Sequence, residues 1–237
     1  MEQQYYRIAD LTVAMDSFGR TVEQAEPYRI DADDGVTPDI QIAVDYRPLK
    51  ENQPHLNEDD AEYITTCGAF YRSLVKHGGM MLHSSAVVMD GRAYLFSAPS
   101  GTGKSTHTKL WLNAFGTDRA QILNDDKPAI RCVDGVWYAY GTPWSGKYDI
   151  SINMRAPIAG ICMLERGEVN KIEPFTGPAA VKALLEQTAR LRTPEFMGAM
   201  LGIVDKLLTD VPMWKMECNM DPEAAMLSHK VMSEAAK

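Results

Sequence analysis

The sequence predicts an α/β fold built on a mixed β-sheet, with a small N-terminal β layer. Paired apolar runs flank Asp90-Gly91 and Asp134-Gly135, and an Asp-Gly pair in that position is a strong signal for an antiparallel hairpin. A glycine-rich loop lies between a strand and a helix downstream of the first hairpin. Apolar and polar residues alternate around Leu11 and Ile40, as in half-buried strands. Hairpins beside a strand–loop–helix unit favour a mixed sheet over an all-parallel one.

Composition sets the frame for this prediction. The chain has 237 residues, enough for one large domain or one domain with a small appendage. Its 24 basic and 32 acidic residues give a net charge of −8, which disfavours a nucleic-acid partner. We expect neither a signal peptide nor a membrane-spanning segment, because no basic start with an apolar core and no apolar run of spanning length is present. Four widely spaced cysteines indicate buried thiols in a reducing, cytoplasmic compartment: Cys67, Cys132, Cys162 and Cys218.

The N-terminal part is expected to form a β-rich layer over residues 1–57, packed on a larger domain over residues 58–237. Strands are predicted around 11–15 and 40–44, followed by a polar linker over 47–58. A helix is predicted over 59–76, ended by Gly78-Gly79. Its apolar face is predicted to contain Ile64, Cys67, Tyr71, Leu74 and Val75.

The larger domain is predicted to begin with a hairpin of strands 86–89 and 92–96. A helix follows the glycine-rich loop from Ser105, with His107 on its outer face, and a strand is predicted over 119–123. The second hairpin pairs 128–133 with 136–140. The remaining predicted elements are strands 158–164 and 169–172, helices from 178 to about 191 and from 195 to 208, an edge strand over 211–218, and a final helix from 221 to the end.

The stretch 97–106 has the pattern of a phosphate-binding loop. The motif G-x-x-x-x-G-K-[ST] is met at Gly103, Lys104 and Ser105, with Ala98 where the first glycine usually stands. The glycines let backbone N–H groups face phosphate oxygens, Lys104 supplies a charge for the β- and γ-phosphates, and Ser105 can hold Mg²⁺. ATP and Mg²⁺ are therefore expected, bound through Ser100, Gly101, Thr102, Gly103, Lys104, Ser105 and Thr106.

Two adjacent carboxylates, Asp125 and Asp126, follow the predicted strand after the loop helix. They are expected to emerge at the same sheet edge as the phosphate loop. Because neighbouring residues of a strand point to opposite faces, the two acids are expected to have different roles. Asp126 is assigned to Mg²⁺ together with Ser105, and Asp125 to the general base, although the two roles could be exchanged.

The order of these motifs resembles that of a known family. The segments Leu82-His83, Asp90-Gly91, 100–106 and 123–126 resemble the catalytic domain of HPr kinase/phosphorylase, which is similar to the nucleotide-binding core of phosphoenolpyruvate carboxykinase. The resemblance spans residues 80–164 clearly. It implies a carboxykinase-like, HPr kinase-like mixed-sheet core, and a role for His83 close to the phosphates or the metal.

The chain departs from true HPr kinases after the paired aspartates. Their Glu-x-Arg-Gly-x-Gly segment is missing, and 141–147 stands in its place, as in the broader HPr kinase-like group. HPr is therefore not expected to be the substrate. Trp144, Lys147 and Arg155 are the predicted substrate-contacting residues in and after this segment.

These observations predict an ATP-dependent kinase that transfers the γ-phosphate to a hydroxyl acceptor, with Asp125, His83 and Lys104 as its catalytic residues. The acceptor is a serine or threonine of a peptide or small protein, or a small hydroxylated metabolite. Two alternatives stay open: an ATP-sensing regulator that transfers nothing, and a carboxykinase-like lyase. A homo-oligomer is possible, and neither nucleic acid nor membrane is expected as a partner.

Overall fold

The structure is a computed structural model and describes residues 3–31, 36–189 and 193–235. These residues form two sheets with helices packed on them. The strands are β1 (Gln4–Ile8), β2 (Leu11–Met15), β3 (Ile40–Ile42), β4 (Gly79–Met81), β5 (Ser84–Met89), β6 (Arg92–Ser97), β7 (Ala120–Asn124), β8 (Ala129–Val133), β9 (Val136–Tyr140), β10 (Arg155–Arg166), β11 (Lys171–Pro174) and β12 (Met213–Cys218). The α-helices are α1 (Gly19–Ala25), α2 (Arg47–Asn52), α3 (Glu58–Leu74), α4 (Lys104–Phe115), α5 (Gly177–Glu186), α6 (Pro194–Asp210) and α7 (Pro222–Ala235).

The large sheet is mixed, as the two hairpins predicted. Its strands run in the order β4-β8-β9-β10-β6-β5-β7, and β12 joins β10 while β11 joins β12. The long strand β10 changes its neighbours along its length: its start pairs antiparallel with β9, and its later residues pair parallel with β6 and β12. Both Asp-Gly turns have the left-handed backbone of a type I′ hairpin, with φ of 51° and 75° at Asp90-Gly91 and 51° and 81° at Asp134-Gly135.

The apolar side chains of the central strands alternate between two layers of helices. Tyr94 and Phe96 pack with Trp111 of α4 and with α7, whereas Leu95 packs with α5 and α6 on the opposite face. This alternation follows from the two-residue period of a strand. Both faces of the sheet are therefore covered, and the chemistry is confined to the edges where strands end.

The N-terminal residues form a three-stranded sheet in the order β1-β2-β3. Predicted strands 11–15 and 40–44 are confirmed as β2 and β3, although β3 ends at Ile42, while β1 and α1 have no counterpart among the predictions. The predicted linker contains the helix α2. This layer shares one apolar cluster with α3, β8 and β9, which includes Phe70, Tyr71 and Trp144.

Three finer predictions are wrong. Ile64 is 45% exposed, whereas the other four residues of the predicted face, Cys67, Tyr71, Leu74 and Val75, are buried as predicted. The strand β12 is not an edge, since it pairs with both β10 and β11, and Pro212 lies just before it. Helix α5 ends at Glu186, and the predicted helix end at Leu191 lies outside the described residues. None of the described helices is long and apolar enough to cross a membrane.

Candidate functional site

Sheet topology brings the predicted site residues to one edge of the large sheet. Strands β6 and β7 both run antiparallel to β5, so their C-terminal ends meet the beginning of β5. The phosphate loop follows β6, Asp125 and Asp126 follow β7, and His83 immediately precedes β5. Segments that are about 20 residues apart in sequence are thereby brought together.

These segments line one cleft of about 790 Å³. Its walls contain most of the predicted binding and catalytic residues: His83, Ser100, Gly101, Gly103, Lys104, Ser105, Thr106, Asp125, Asp126 and Lys147. Thr102 is part of the loop turn instead, where its hydroxyl donates to the Pro99 carbonyl at 2.9 Å. The cleft is large enough for a ligand of nucleotide size.

The loop conformation explains its glycines. Gly101 and Gly103 have φ of +81° and +125°, and a Cβ at either position would meet nothing within 4 Å. The backbone dihedrals, rather than lack of space, therefore require glycine there. Arg166 at the end of β10 donates to the carbonyl oxygens of Gly101 at 2.5 Å and Thr102 at 3.2 Å. Nothing in the local sequence pattern indicated that Arg166 holds the loop.

Lys104 is the buried cation of this loop. Its side chain is only 7% exposed, and its Nζ donates to the Ala98 carbonyl at 3.0 Å. Burial lowers the pKa of Lys104, and the nearby carboxylates of Asp126 and Asp125 oppose that shift. A desolvated amine held by a neutral carbonyl is well suited to an anionic ligand.

The two adjacent aspartates have different surroundings, as strand alternation predicts. Asp125 is 4% exposed and accepts a hydrogen bond from Ser85 at 2.6 Å, and Ser85 in turn contacts the Thr108 hydroxyl of α4 at 2.8 Å. Asp125 is therefore attached to the first turns of the loop helix.

Asp126 instead lies against nitrogen atoms of two side chains, those of His83 and Lys127. His83 Nε2 is 3.2 Å from one carboxylate oxygen, and Lys127 binds the other. Burial opposes ionisation of Asp126, but the hydrogen bond from His83 and the Lys127 charge outweigh it and lower its pKa to about 2. Asp126 is consequently a carboxylate across the physiological pH range.

Asn124 shapes the backbone that presents both acids. Its Oδ1 accepts the N–H groups of Asp126 at 3.0 Å and Lys127 at 2.7 Å, and its Nδ2 donates to the Thr142 carbonyl at 3.2 Å. Sequence reasoning missed this residue. An asparagine at a strand end is nevertheless a recognisable signal for such an Asx turn.

The structure contradicts two of the three predicted substrate residues. Trp144 has no exposed surface: it stacks on Phe70 with ring centroids 4.9 Å apart, and its Nε1 donates to the Thr66 hydroxyl. Arg155 pairs with Asp10 of the N-terminal layer and is not among the residues that line the cleft. Lys147 does line the cleft. A tryptophan beside glycines proved to be a core residue because α3 packs over the loop.

His107 is also not where the helix pattern placed it. It is 2% exposed, lies against the Phe96 ring, and its Nε2 contacts the Ser228 hydroxyl of α7 at 3.0 Å. Burial lowers its pKa to about 4, so the imidazole is neutral at physiological pH. Helix α7 covers this face of α4, which a helical period alone does not reveal.

The N-terminal layer contributes Arg20 to the cleft. Its guanidinium pairs with Asp60 at 3.2 Å and Asp149 at 2.6 Å, and donates to the Gly146 carbonyl at 2.5 Å. A Cβ on Gly146 would lie 2.6 Å from the Asp126 Cβ, so segment 141–149 packs directly against that acid. Sequence reasoning missed Arg20, which is separated by 126 residues from the glycine that it contacts.

Together these features define an α/β protein with a mixed sheet and a phosphate-loop sequence at the sheet edge beside two carboxylates. The model of the family described as SynChlorMet cassette protein ScmC matches residues 57–203, more than half of the chain, and the chain belongs to this family. A search of curated proteins finds no match.

The matches among solved structures include one at low identity and low TM-score. The HPr(Ser) kinase/phosphatase from Coxiella burnetii is 10% identical, with a TM-score of 0.38, over 65% of this chain and 95% of that chain. A likeness at this level does not establish an activity or a substrate.

Proposed function

We propose that this protein is a kinase that transfers the γ-phosphate of ATP to a hydroxyl acceptor in the presence of Mg²⁺. One observation carries the proposal: a single cleft is lined by the phosphate loop, by Lys104 and Ser105, and by two carboxylates in different surroundings. A phosphoryl transfer needs these groups, because its catalysis depends on positioning and charge neutralisation.

The donor side of the site is the loop with α4. The backbone amides around Gly101 and Gly103 and the N-terminus of the helix suit phosphate oxygens. The Lys104 ammonium would exchange its neutral carbonyl partner for the β- and γ-phosphates. Arg166 acts from outside by holding the loop carbonyls, and it is thus a positioning residue.

The donor set also fits Mg²⁺, which prefers hard oxygen ligands and takes few of them from the protein. Ser105 and one aspartate would hold the ion, and bound Mg²⁺ supplies neutralisation of the phosphate charge. We assign Asp125 to the metal, because Ser85 and Thr108 attach it to α4, the helix that carries Ser105. This exchanges the two roles favoured by sequence reasoning.

Asp126 then serves as the base that accepts the hydroxyl proton. Its side chain is 24% exposed, whereas Asp125 is nearly inaccessible, and a base must reach the acceptor. His83 and Lys127 keep Asp126 ionised and oriented. The acceptor is a serine or threonine of a peptide or small protein, or a small hydroxylated metabolite, and Lys147, which lines the cleft, would contact it.

The alternatives have less support. An ATP sensor that transfers nothing needs the loop but not a second, accessible carboxylate. A carboxykinase-like lyase needs cations for a dicarboxylate, whereas Arg20, the arginine among the described cleft residues, is already paired with Asp60 and Asp149.

The test is ³²P transfer from labelled ATP to peptides and metabolites, with the proteins encoded beside this one as first candidates. Transfer to a hydroxyl confirms the kinase. Tight Mg-ATP binding with only slow hydrolysis, unchanged by adding acceptors, supports the sensor instead.

The two aspartates give a second test. Asp126→Asn is expected to lower kcat by on the order of 100-fold and leave ATP binding nearly intact, whereas Asp125→Asn should raise the Mg²⁺ concentration needed for half-maximal activity. Asp118→Asn, an exposed change just beyond α4, is the matched control. Equal effects of both variants on kcat and Mg²⁺ dependence would contradict the division of roles.

A further inference from the structure

A second cavity opens on the other side of the phosphate loop. It measures about 460 Å³ and lies between α4, the end of β10 and the chain that joins β12 to α7. Its lining residues include Thr106, Leu110, Leu164, Arg166, Cys218 and Met220. The proposed phosphoryl transfer does not use this cavity.

The cavity and the catalytic cleft border the same residues of the loop. Both are lined by Gly101, Gly103 and Thr106, so one molecule can contact both without leaving the loop. In the proposed function the γ-phosphate reacts in the cleft, because the cleft contains Lys104, Ser105 and the two carboxylates. The rest of a nucleotide must leave the loop in another direction, and the cavity that Thr106 also lines is adjacent to the loop helix.

The walls suit an aromatic base. Leu110, Leu164 and Met220 provide apolar surface, and Met220 is 76% exposed, so an exposed methionine borders the opening. The guanidinium of Arg166 is planar and is held by the two loop carbonyls, and such a group stacks well on an aromatic ring.

A competing cavity of about 570 Å³ lies beyond the loop, where Phe175 and Lys215 are part of the lining. It borders the loop only through residues 99–102, and no described residue of α4 lines it. Its Lys215 is already paired with Glu165 at 2.9 Å. A nucleotide that follows the first turn of α4 does not enter this cavity.

We infer that the cavity beside Thr106 holds the nucleoside part of the nucleotide, with the base between the Arg166 guanidinium and the side chains of Leu110 and Met220. This inference rests on the proposed function, because it assumes that the loop binds the phosphates. It adds the residues that would recognise the base and that no motif of the sequence indicated.

The test compares Mg-ATP with Mg-tripolyphosphate, which has the phosphates but no nucleoside. Met220→Glu and Leu110→Ser are expected to weaken ATP binding about tenfold or more, because burial of the base against apolar surface is lost. Their tripolyphosphate affinity should stay within about twofold. Met226→Glu, an exposed change on α7, is the matched control, and Lys215→Glu probes the competing cavity.

The outcomes separate the two proposals. If the wild type binds neither compound, the phosphate-loop proposal fails. If the wild type binds both but Met220→Glu and Leu110→Ser leave ATP affinity unchanged, or if Lys215→Glu alone weakens it, the cavity assignment is wrong.

Alkylation gives a readout without any variant. Cys218 lines the cavity and is partly accessible, whereas Cys132 lies on β8 and serves as an internal control. With excess iodoacetamide at alkaline pH, ATP should slow alkylation of Cys218 at least about threefold while tripolyphosphate does not. Equal protection by both compounds, or by neither, would overturn the assignment.

Discussion

At the scale of single residues, burial decides what each charged side chain can do. Lys104 and Asp125 are both nearly inaccessible, and each is held by neutral hydrogen-bonding groups. Such groups lose hydration on folding and recover favourable interactions only from a ligand of opposite charge or from each other. In the proposed function, Lys104 would therefore interact with the phosphates and Asp125 with Mg²⁺.

Replacing Lys104 tests this interpretation. Lys104→Met keeps most of the side-chain volume but removes the buried charge, and we expect Mg-ATP binding to weaken by roughly 2–4 kcal/mol. The protein should remain folded, because the amine makes one hydrogen bond to a carbonyl. Isothermal titration against Lys109→Met, an exposed change on the same helix, is the measurement. Unchanged ATP affinity in a folded Lys104→Met protein would remove the basis for the phosphate site.

Burial lowers the pKa of Lys104 but raises that of Glu62, a carboxyl at the contact between α1 and α3. Its carboxyl is 2% exposed, one oxygen is bonded by the Thr21 hydroxyl, and the other has no partner among the described residues. Burial raises its pKa from 4.5 to about 7, although the Thr21 hydrogen bond opposes the shift. The folded protein therefore binds this proton more tightly than the unfolded chain does.

The sign of the pH dependence follows. The pKa of Glu62 is higher in the folded protein than in the unfolded chain. Below about pH 4.5 the carboxyl is therefore protonated in both states and costs no folding stability. As the pH rises to about 7, the loss of folding stability grows to about 3 kcal/mol. Glu62→Gln should remove this dependence, so the free energy of unfolding of the wild type falls relative to the variant between pH 5 and pH 8. Urea unfolding at both pH values measures it, with exposed Glu23→Gln as control. A constant difference between wild type and Glu62→Gln would show that Glu62 is ionised throughout.

At the scale of elements, segment 141–149 owes its shape to α3. The side chain of Trp144 fills the apolar cluster with Phe70, and Tyr63 of the same helix accepts the N–H of Ser145 at 2.9 Å. The helix thereby fixes the segment that packs against Asp126 through Gly146. A buried residue thus helps to hold the segment that lies beside the proposed base.

The corresponding change is Trp144→Ala. We expect a loss of about 3–5 kcal/mol in the free energy of unfolding, because a large ring is removed from a closed core. Urea denaturation compared with Tyr148→Ala, which removes a side chain that is 56% exposed, measures the difference. Trp144→Phe should lose less free energy of unfolding. It can replace Trp144→Ala in the comparison with Tyr148→Ala if the alanine variant does not fold. Equal stability of the Trp144→Ala and Tyr148→Ala proteins is the result that contradicts this assignment.

At the scale of the whole molecule, the N-terminal layer and the core form one packed unit. The apolar cluster that the layer shares with α3, β8 and β9 contains residues of β1, β2 and β3 together with Phe70, Tyr71 and Leu74 of α3. Polar contacts add to it, since Arg131 donates to the Ala9 carbonyl and Tyr140 to Asp10. Arg20 extends the same layer to the rim of the cleft.

A truncation tests this dependence. A fragment of residues 58–237 would expose the apolar face of α3, so we expect it to lack a cooperative thermal transition and to aggregate or stay unfolded. Circular dichroism and native mass spectrometry on the fragment, alone and co-expressed with residues 1–57, are the measurements. A fragment that unfolds cooperatively and binds Mg-ATP as the full chain does would show that the layer is dispensable.

The sequence by itself determined the features that depend on a few neighbouring residues. The Asp-Gly turns, the glycines of the phosphate loop and the adjacent acids were all predictable, because left-handed backbone and strand alternation are local properties. The mixed sheet followed from the hairpins, and the shared edge of the loop and the aspartates followed from the order of strands.

Only the tertiary structure decided which side chains are available for chemistry. Trp144 is a core residue because α3 covers it, and His107 is buried because α7 covers it. A local sequence pattern does not predict which distant element will cover a residue. Arg166 and Arg20 reach their partners across 65 and 129 residues of sequence. Contacts of that kind form only when the whole chain has packed, so the residue that holds the loop and the arginine that lines the cleft carry no signal in their own segments.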